Sequence, residues 1–143
     1  MPQLYLFGEL IDIFERKQIA QGVYFSRITD RRFKANRISV MLITEFDGLS
    51  RADCALAAYA LSECCEKYPD YSKLSAALLD MYDASVSTST SSRWGKRCTE
   101  IVGRTLDDRY ALDGEKLERE LARIICECLF RPKAKDGAFD EKV

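Results

Sequence analysis

The sequence predicts an α+β fold: a two-layer sandwich in which helices cover one face of a largely antiparallel sheet. Three observations predict it. The patterns run strand, strand, helix, helix, strand, strand, helix, so strands come in adjacent pairs rather than alternating singly with helices. Two of the helical segments carry a clear apolar stripe at helical spacing, which needs a sheet or another helix to cover it. The chain has 143 residues, 47% of them hydrophobic, enough for one domain with its own core.

Taken in order, residues 22–46 read as two strands. The second, residues 37–46, is rich in β-branched and large apolar residues. Ile38, Val40 and Leu42 line one face, with Met41 and Ile43 on the other. A strand apolar on both faces is expected to be central and covered on both sides. The basic stretch 30–37 between the strands reads as a solvated loop, with a peptide- or partner-binding edge as the sharper alternative.

Residues 51 to about 67 form a helical pattern, with Leu56, Tyr59, Ala60, Glu63 and Cys64 on related turns and frequent alanine. Pro69 stops it, and Asp70 is placed to cap the next helix. That second helix spans about 71–82, with Leu74, Leu78, Met81 and Tyr82 on one stripe. The short link predicts near-antiparallel packing of the two. Residues 84–92, Ala-Ser-Val-Ser-Thr-Ser-Thr-Ser-Ser, have the composition of a linker, yet valine and threonine favour strands. With residues 97–105 they predict a hairpin turning near Trp94-Gly95, its serines directed to a surface or seam rather than a dry core. The last helix covers about 114–130. Leu117, Leu121, Ile124, Ile125, Cys128 and Leu129 form its stripe, Asp113 its cap, Glu115 its first turn, and Pro132 follows its end. The tail from Lys133 is mostly polar, and no internal repeat is present.

Charge excludes some functions. Lys plus Arg is 22 and Asp plus Glu is 23, which gives no electrostatic footprint for nucleic acid or an anionic membrane. No apolar run is long enough to span a bilayer. Glu9 and Asp12 break the N-terminal apolar stretch and no basic region precedes it, so no signal peptide is expected and the cytoplasm is the expected compartment. Cys54, Cys64, Cys65, Cys98, Cys126 and Cys128 read as free structural thiols. Neither Cys64-Cys65 nor Cys126-x-Cys128 has the spacing for zinc. The chain has no histidine, which leaves a cysteine nucleophile without its usual base. Asp107-Asp108 reads as a solvated turn, and Tyr59, Tyr68, Tyr71 and Tyr82 as helix packing and helix ends. The seven glycines form no phosphate-binding loop.

Five strings, in order, resemble a bacterial branch of the pitrilysin/insulinase metallopeptidase family, which includes mitochondrial processing peptidase-like proteins. They are Phe33-Lys-Ala-Asn-Arg-Ile-Ser-Val40; Glu66-Lys-Tyr-Pro69; Leu74, Leu78 and Met81-Tyr-Asp-Ala84; Asp108-Arg-Tyr-Ala-Leu112; and Gly137-Ala-Phe-Asp-Glu141. The resemblance covers residues 17–143 and leaves 1–16 unassigned. It implies a LuxS/mitochondrial processing peptidase-like metallohydrolase fold, here C-terminally incomplete. Active members carry His-x-x-Glu-His on the helix before Lys-Tyr-Pro: two histidines one turn apart hold zinc, and the glutamate activates the bound water. By position the motif falls on Ala55-Leu56-Ala57-Ala58-Tyr59. Ala55 and Tyr59 stand where histidines are required, and Ala58 where the general base is required. The family's third ligand, a glutamate, lies beyond residue 143. Asp83 replaces a family glycine.

The resemblance therefore implies a peptidase homologue with no catalytic, cofactor-binding or metal residues. Its expected role is that of a non-catalytic subunit, pairing as a heterodimer with an active paralogous zinc peptidase subunit or second domain, with a peptide as ligand. Two alternatives stay open. One is an enzyme with a relocated site, built from the Ser/Thr hairpin and the acids Glu63 and Glu66. The other is a truncated fragment without independent function.

Overall fold

A computed structural model of the chain describes residues 14–46, 48, 50–135 and 138–139. The chain divides between Phe33 and Lys34 into two compact units.

The first unit is a hairpin of β1 (Phe14–Ala20) and β2 (Val23–Ile28), paired antiparallel from Phe14↔Ile28 to Ala20↔Val23. Gly22 adopts φ +73° in the turn, a conformation that costs glycine nothing. The sequence reading began its strands at Gly22 and did not foresee β1. Phe-Glu-Arg-Lys-Gln-Ile-Ala has three consecutive charged residues and no alternation, so its strand character rests on pairing with β2. Every residue of the two strands is exposed, and Arg16 lies 4.8 Å over the Tyr24 ring. Past β2, Asp30 accepts from the Arg32 amide and guanidinium, which hold its carboxyl down at about 2. The basic stretch is therefore a closed turn, and its last residues enter the next strand.

The second unit is an α+β sandwich. Its sheet has the order β3 (Ala35–Thr44), β5 (Lys96–Leu106), β4 (Ser85–Arg93), all antiparallel. The expectation that residues 37–46 form a central strand is corrected: β5 is central and β3 is an edge among the described residues. Ile38 and Val40 pack against the core, whereas Met41, Leu42 and Ile43 are exposed. The register puts Ile38, Gly103 and Val86 side by side, and Val40, Ile101 and Thr88 beside them. That face carries the helices. The opposite face presents Ser85, Ser87, Ser89 and Ser91 to solvent, as the alternation predicts. The β4–β5 turn is Trp94-Gly95, with φ of 52° and 73°, the two successive left-handed residues that a two-residue hairpin favours.

Three α-helices are described. α1 (Arg51–Glu63) starts at Ser50, whose Oγ accepts from the Asp53 amide at 3.1 Å. It ends four residues before the expected 67. Beyond it the Cys65 amide donates to the Tyr68 carbonyl, and the Glu66 amide to Arg131 after the last helix. Those bonds draw the chain out of helical geometry. α2 (Tyr71–Leu79) starts at Asp70, whose carboxylate accepts from the Lys73 amide at 2.9 Å. It stops before Tyr82 because Tyr82 and Asp83 adopt φ of 58° and 59°. α3 (Leu117–Phe130) starts three residues later than expected, and Asp113 does not cap it. Asp108, from a 3-10 turn (Asp108–Tyr110), reaches across and accepts from the Glu118 amide at 3.0 Å. Asp107 anchors that turn through the Arg109 amide, so the acid pair is a structural device.

The core lies between α2, α3 and the sheet: Leu74, Leu78, Met81, Ile101, Leu117, Leu121, Ile124 and Ile125 are buried together. Gly103 lets α3 settle onto β5, since a Cβ there would lie 2.7 Å from Ile125 Cδ1 and 2.9 Å from Leu121 Cδ1. The six cysteines are free thiols. Cys64, Cys65, Cys98 and Cys128 are buried, Cys54 is half-buried and Cys126 is exposed. Burial, with the Cys65 thiol alongside, pushes Cys128 up to about 12, so it is a neutral core side chain. Two-residue strands β6 (Ala134–Lys135) and β7 (Ala138–Phe139) close the described chain. No described helix is long and apolar enough to cross a membrane.

Candidate functional site

The residues at the expected motif all lie on α1, whose side against β4 holds it to the helix-covered face of the sheet. Ser62 Oγ and Thr88 Oγ1 meet there at 3.4 Å. Ala58 points into that contact and is 3% exposed. Ala55 and Tyr59, one turn apart, are both on the exposed side of the helix. A glutamate at 58 would have to enter a space now filled by a methyl group.

The donor set does not fit a metal. Neither alanine has a ligand atom. The Tyr59 hydroxyl donates to the Glu63 carboxylate one turn on, and that carboxylate pushes the phenol's pKa upward, so the oxygen stays protonated. Among the described residues no three His, Cys, Asp or Glu side chains come together in a way that could hold an ion.

An open groove of about 280 Å³ lies beside this helix, between the end of α1, the exposed flank of α2 and the start of β4. Leu74, Leu78 and Val86 form its floor, and Glu63, Tyr71 and Asp83 line it with charge and an aromatic ring. The outer edge of β4 beside it has no strand partner among the described residues. Sequence reasoning missed this groove, because its parts come from three elements and no spacing links Glu63 to Asp83.

The other candidates separate. Ser85, Ser87, Ser89 and Ser91 face away from the helices, while Thr88, Thr90 and Ser92 lie on the helix-covered face. Glu63 borders the groove, but Glu66 is exposed beyond the helix and is not part of its lining. Tyr82 is structural: its hydroxyl donates to Glu115 Oε1 and accepts from the Leu112 amide, each at 3.0 Å. Tyr68 packs against the core. Tyr71 is a helix-end residue at the start of α2 and is 62% exposed, whereas Tyr59, within α1, is 58% exposed rather than packed. Arg37 pairs with Glu100 at 3.1 Å across β3 and β5.

No protein-family model and no curated protein matches the sequence. Among solved structures, the crystal structure of a conserved protein from Enterococcus faecalis V583 is similar, with a TM-score of 0.83 and 22% identity over 91% of this chain. The chain spans 30% of that protein's length. At that identity the likeness carries the fold, and the chain shares an α+β architecture of antiparallel sheets and helices with the enterococcal protein.

Proposed function

We propose that this chain is a catalytically inactive homologue of the insulinase-type metallopeptidases, acting as a non-catalytic subunit that binds peptide or pairs with an active zinc peptidase. One observation carries the reading: Ala55, Ala58 and Tyr59 occupy one helix lying on a sheet, the setting the zinc motif requires, without a nitrogen ligand or a general base. The finer fold assignment, the mitochondrial processing peptidase-like metallohydrolase fold, rests on the same placement and on the five ordered strings. A cytoplasmic location belongs to the same proposal.

In such a subunit the scaffold does the work. An extended peptide adds to the free edge of β4 through main-chain hydrogen bonds, and the groove beside it takes a side chain. Co-expression with a paralogue that retains His-x-x-Glu-His tests the proposal. A complex on size exclusion, with peptide cleavage that depends on both chains, is the expected result. A paralogue that neither binds this chain nor changes its cleavage rate in its presence would refute the subunit role.

A further inference from the structure

The β4–β5 turn carries a side chain that the fold does not use. Trp94, the one tryptophan of the chain, is 83% exposed at the hairpin tip. Among the described residues, no hydrogen bond, ion pair or ring contact engages its side chain. Its backbone is strained as well. φ is 52°, in the left-handed region, where a bulky side chain is an outlier. The first position of such a turn favours asparagine or glycine. Tryptophan therefore holds strain and gives a large apolar ring to water, and nothing within the hairpin offsets either. Strain kept at such a residue points to a use outside the fold. Two cations flank the ring. Arg93 and Lys96 are register partners at the base of the turn. Arg93 is exposed and makes no ion pair among the described residues, whereas Lys96 Nζ meets Glu45 Oε1 at 2.6 Å. The neighbouring end of β3 adds exposed Ile43, with exposed Phe46 just beyond it.

Resting on the subunit reading above, we infer that this hairpin tip is the anchor by which the chain holds its partner protein, with Trp94 seated in an apolar pocket whose rim offers a carboxylate to Arg93. Tryptophan and arginine lead the residues that carry interface affinity. Charge favours a protein over a lipid surface. Arg93 is one unpaired cation and Glu45 already offsets Lys96, which gives an anionic bilayer little to hold. Stable attachment to a membrane takes a polybasic patch or a second anchor. A preformed pocket needs only one well-placed ring. The tight turn fixes where that ring stands, so little ordering opposes docking.

Biolayer interferometry of the full chain against the purified paralogue that retains His-x-x-Glu-His tests this. Trp94→Asn should weaken binding at least about thirtyfold, yet raise the urea midpoint, because asparagine suits the turn. Arg93→Gln should weaken it about threefold at low salt, a loss that high salt removes. Unchanged affinity of Trp94→Asn overturns the anchor and leaves the subunit role standing. A lowered midpoint marks Trp94 as part of the fold and also overturns the anchor. No binding by the wild type overturns both. As the single tryptophan, Trp94 also reports its own surroundings by fluorescence. Its emission should stay that of an indole in water when vesicles of phosphatidylglycerol and phosphatidylcholine in equal parts are added. A blue shift there places the tip in a membrane and overturns the protein pocket.

Discussion

α3 and α1 lie on the same sheet yet are held there by different means. α3 buries Leu117, Leu121, Ile124, Ile125 and Cys128 on one stripe, and Gly103 beneath it removes the Cβ that would hold it off β5. α1 buries only Ala58 and Ala60, and leaves Leu56 and Tyr59 in solvent. Dispersion and apolar burial scale with the atoms enclosed, so α3 is a core element and α1 a thin lid whose small side chains permit close approach to β4. The helix that carries Ala55, Ala58 and Tyr59 is therefore the one with less structural duty. Its outward positions accept change at little cost to the fold.

The largest test of that contrast is truncation at matched chemistry. Leu121→Ala, at a fully buried site, should lower unfolding free energy by about 2–5 kcal/mol, whereas Leu56→Ala on α1 should change it by less than about 0.5 kcal/mol. Urea denaturation followed by circular dichroism reads both, and similar losses would dissolve the distinction.

Next in size are the substitutions that write the residues of a His-x-x-Glu-His motif into α1. Ala58→Glu drives a carboxylate into the α1–β4 contact and should cost at least about 2 kcal/mol. Ala55→His should stay within about 0.5 kcal/mol, and Tyr59→His should leave the melting temperature unchanged. A stable Ala58→Glu variant would mean that α1 lifts off the sheet easily.

Gly103→Ala sharpens the other side. Overpacking against Leu121 and Ile125 should cost about 1–3 kcal/mol. In the Leu121→Ala background the same change should cost less, because the nearest clashing atoms are partly removed. Additive losses in that double-mutant cycle would show that the Gly103 contact is not what seats α3.

The two faces of α3 also differ in reactivity. Iodoacetamide under native conditions should alkylate exposed Cys126 and spare Cys128, whose thiol burial keeps protonated. Peptide mass spectrometry reads the sites directly, and rapid labelling of Cys128 would show that the core opens.

The smallest expected effect is a pH dependence at α2. The Lys73 amide accepted by Asp70, together with the Lys73 side chain, holds the Asp70 carboxyl below its ordinary value. A depressed folded pKa stabilises the protein above the unfolded carboxylate pKa, and that stabilisation fades as pH falls through the lowered value. Asp70→Asn keeps a capping oxygen and should flatten this part of the acid limb. An unchanged acid limb would remove Asp70 from the pH response.

Much of the fold was legible wherever a periodic pattern met a local stop signal. The stripe from Leu117 to Cys128, the cap at Asp70 and the turn at Trp94-Gly95 all follow from residues within a few positions of one another. The helix ends were misplaced at 64–67, at 80–82 and at 114–116, because distant partners decide them: Arg131 takes the Glu66 amide, Tyr82 bridges to Glu115 and Leu112, and Asp108 caps α3. The candidate site divides the same way. The placement of Ala55, Ala58 and Tyr59 on one helix was readable, whereas the groove between Glu63 and Asp83 was not.

The sequence by itself determined what chemistry is absent: a chain without histidine cannot present two imidazoles to a metal, whatever its fold. It also determined the hairpin and helix identities, since dihedral preference and side-chain period act over a few residues. Only the tertiary structure decided that β5 and not β3 is central, and that Glu63, Tyr71 and Asp83 share one groove. Strand order and clefts arise from contacts between segments far apart in the chain, and the local pattern of no single segment records its neighbours.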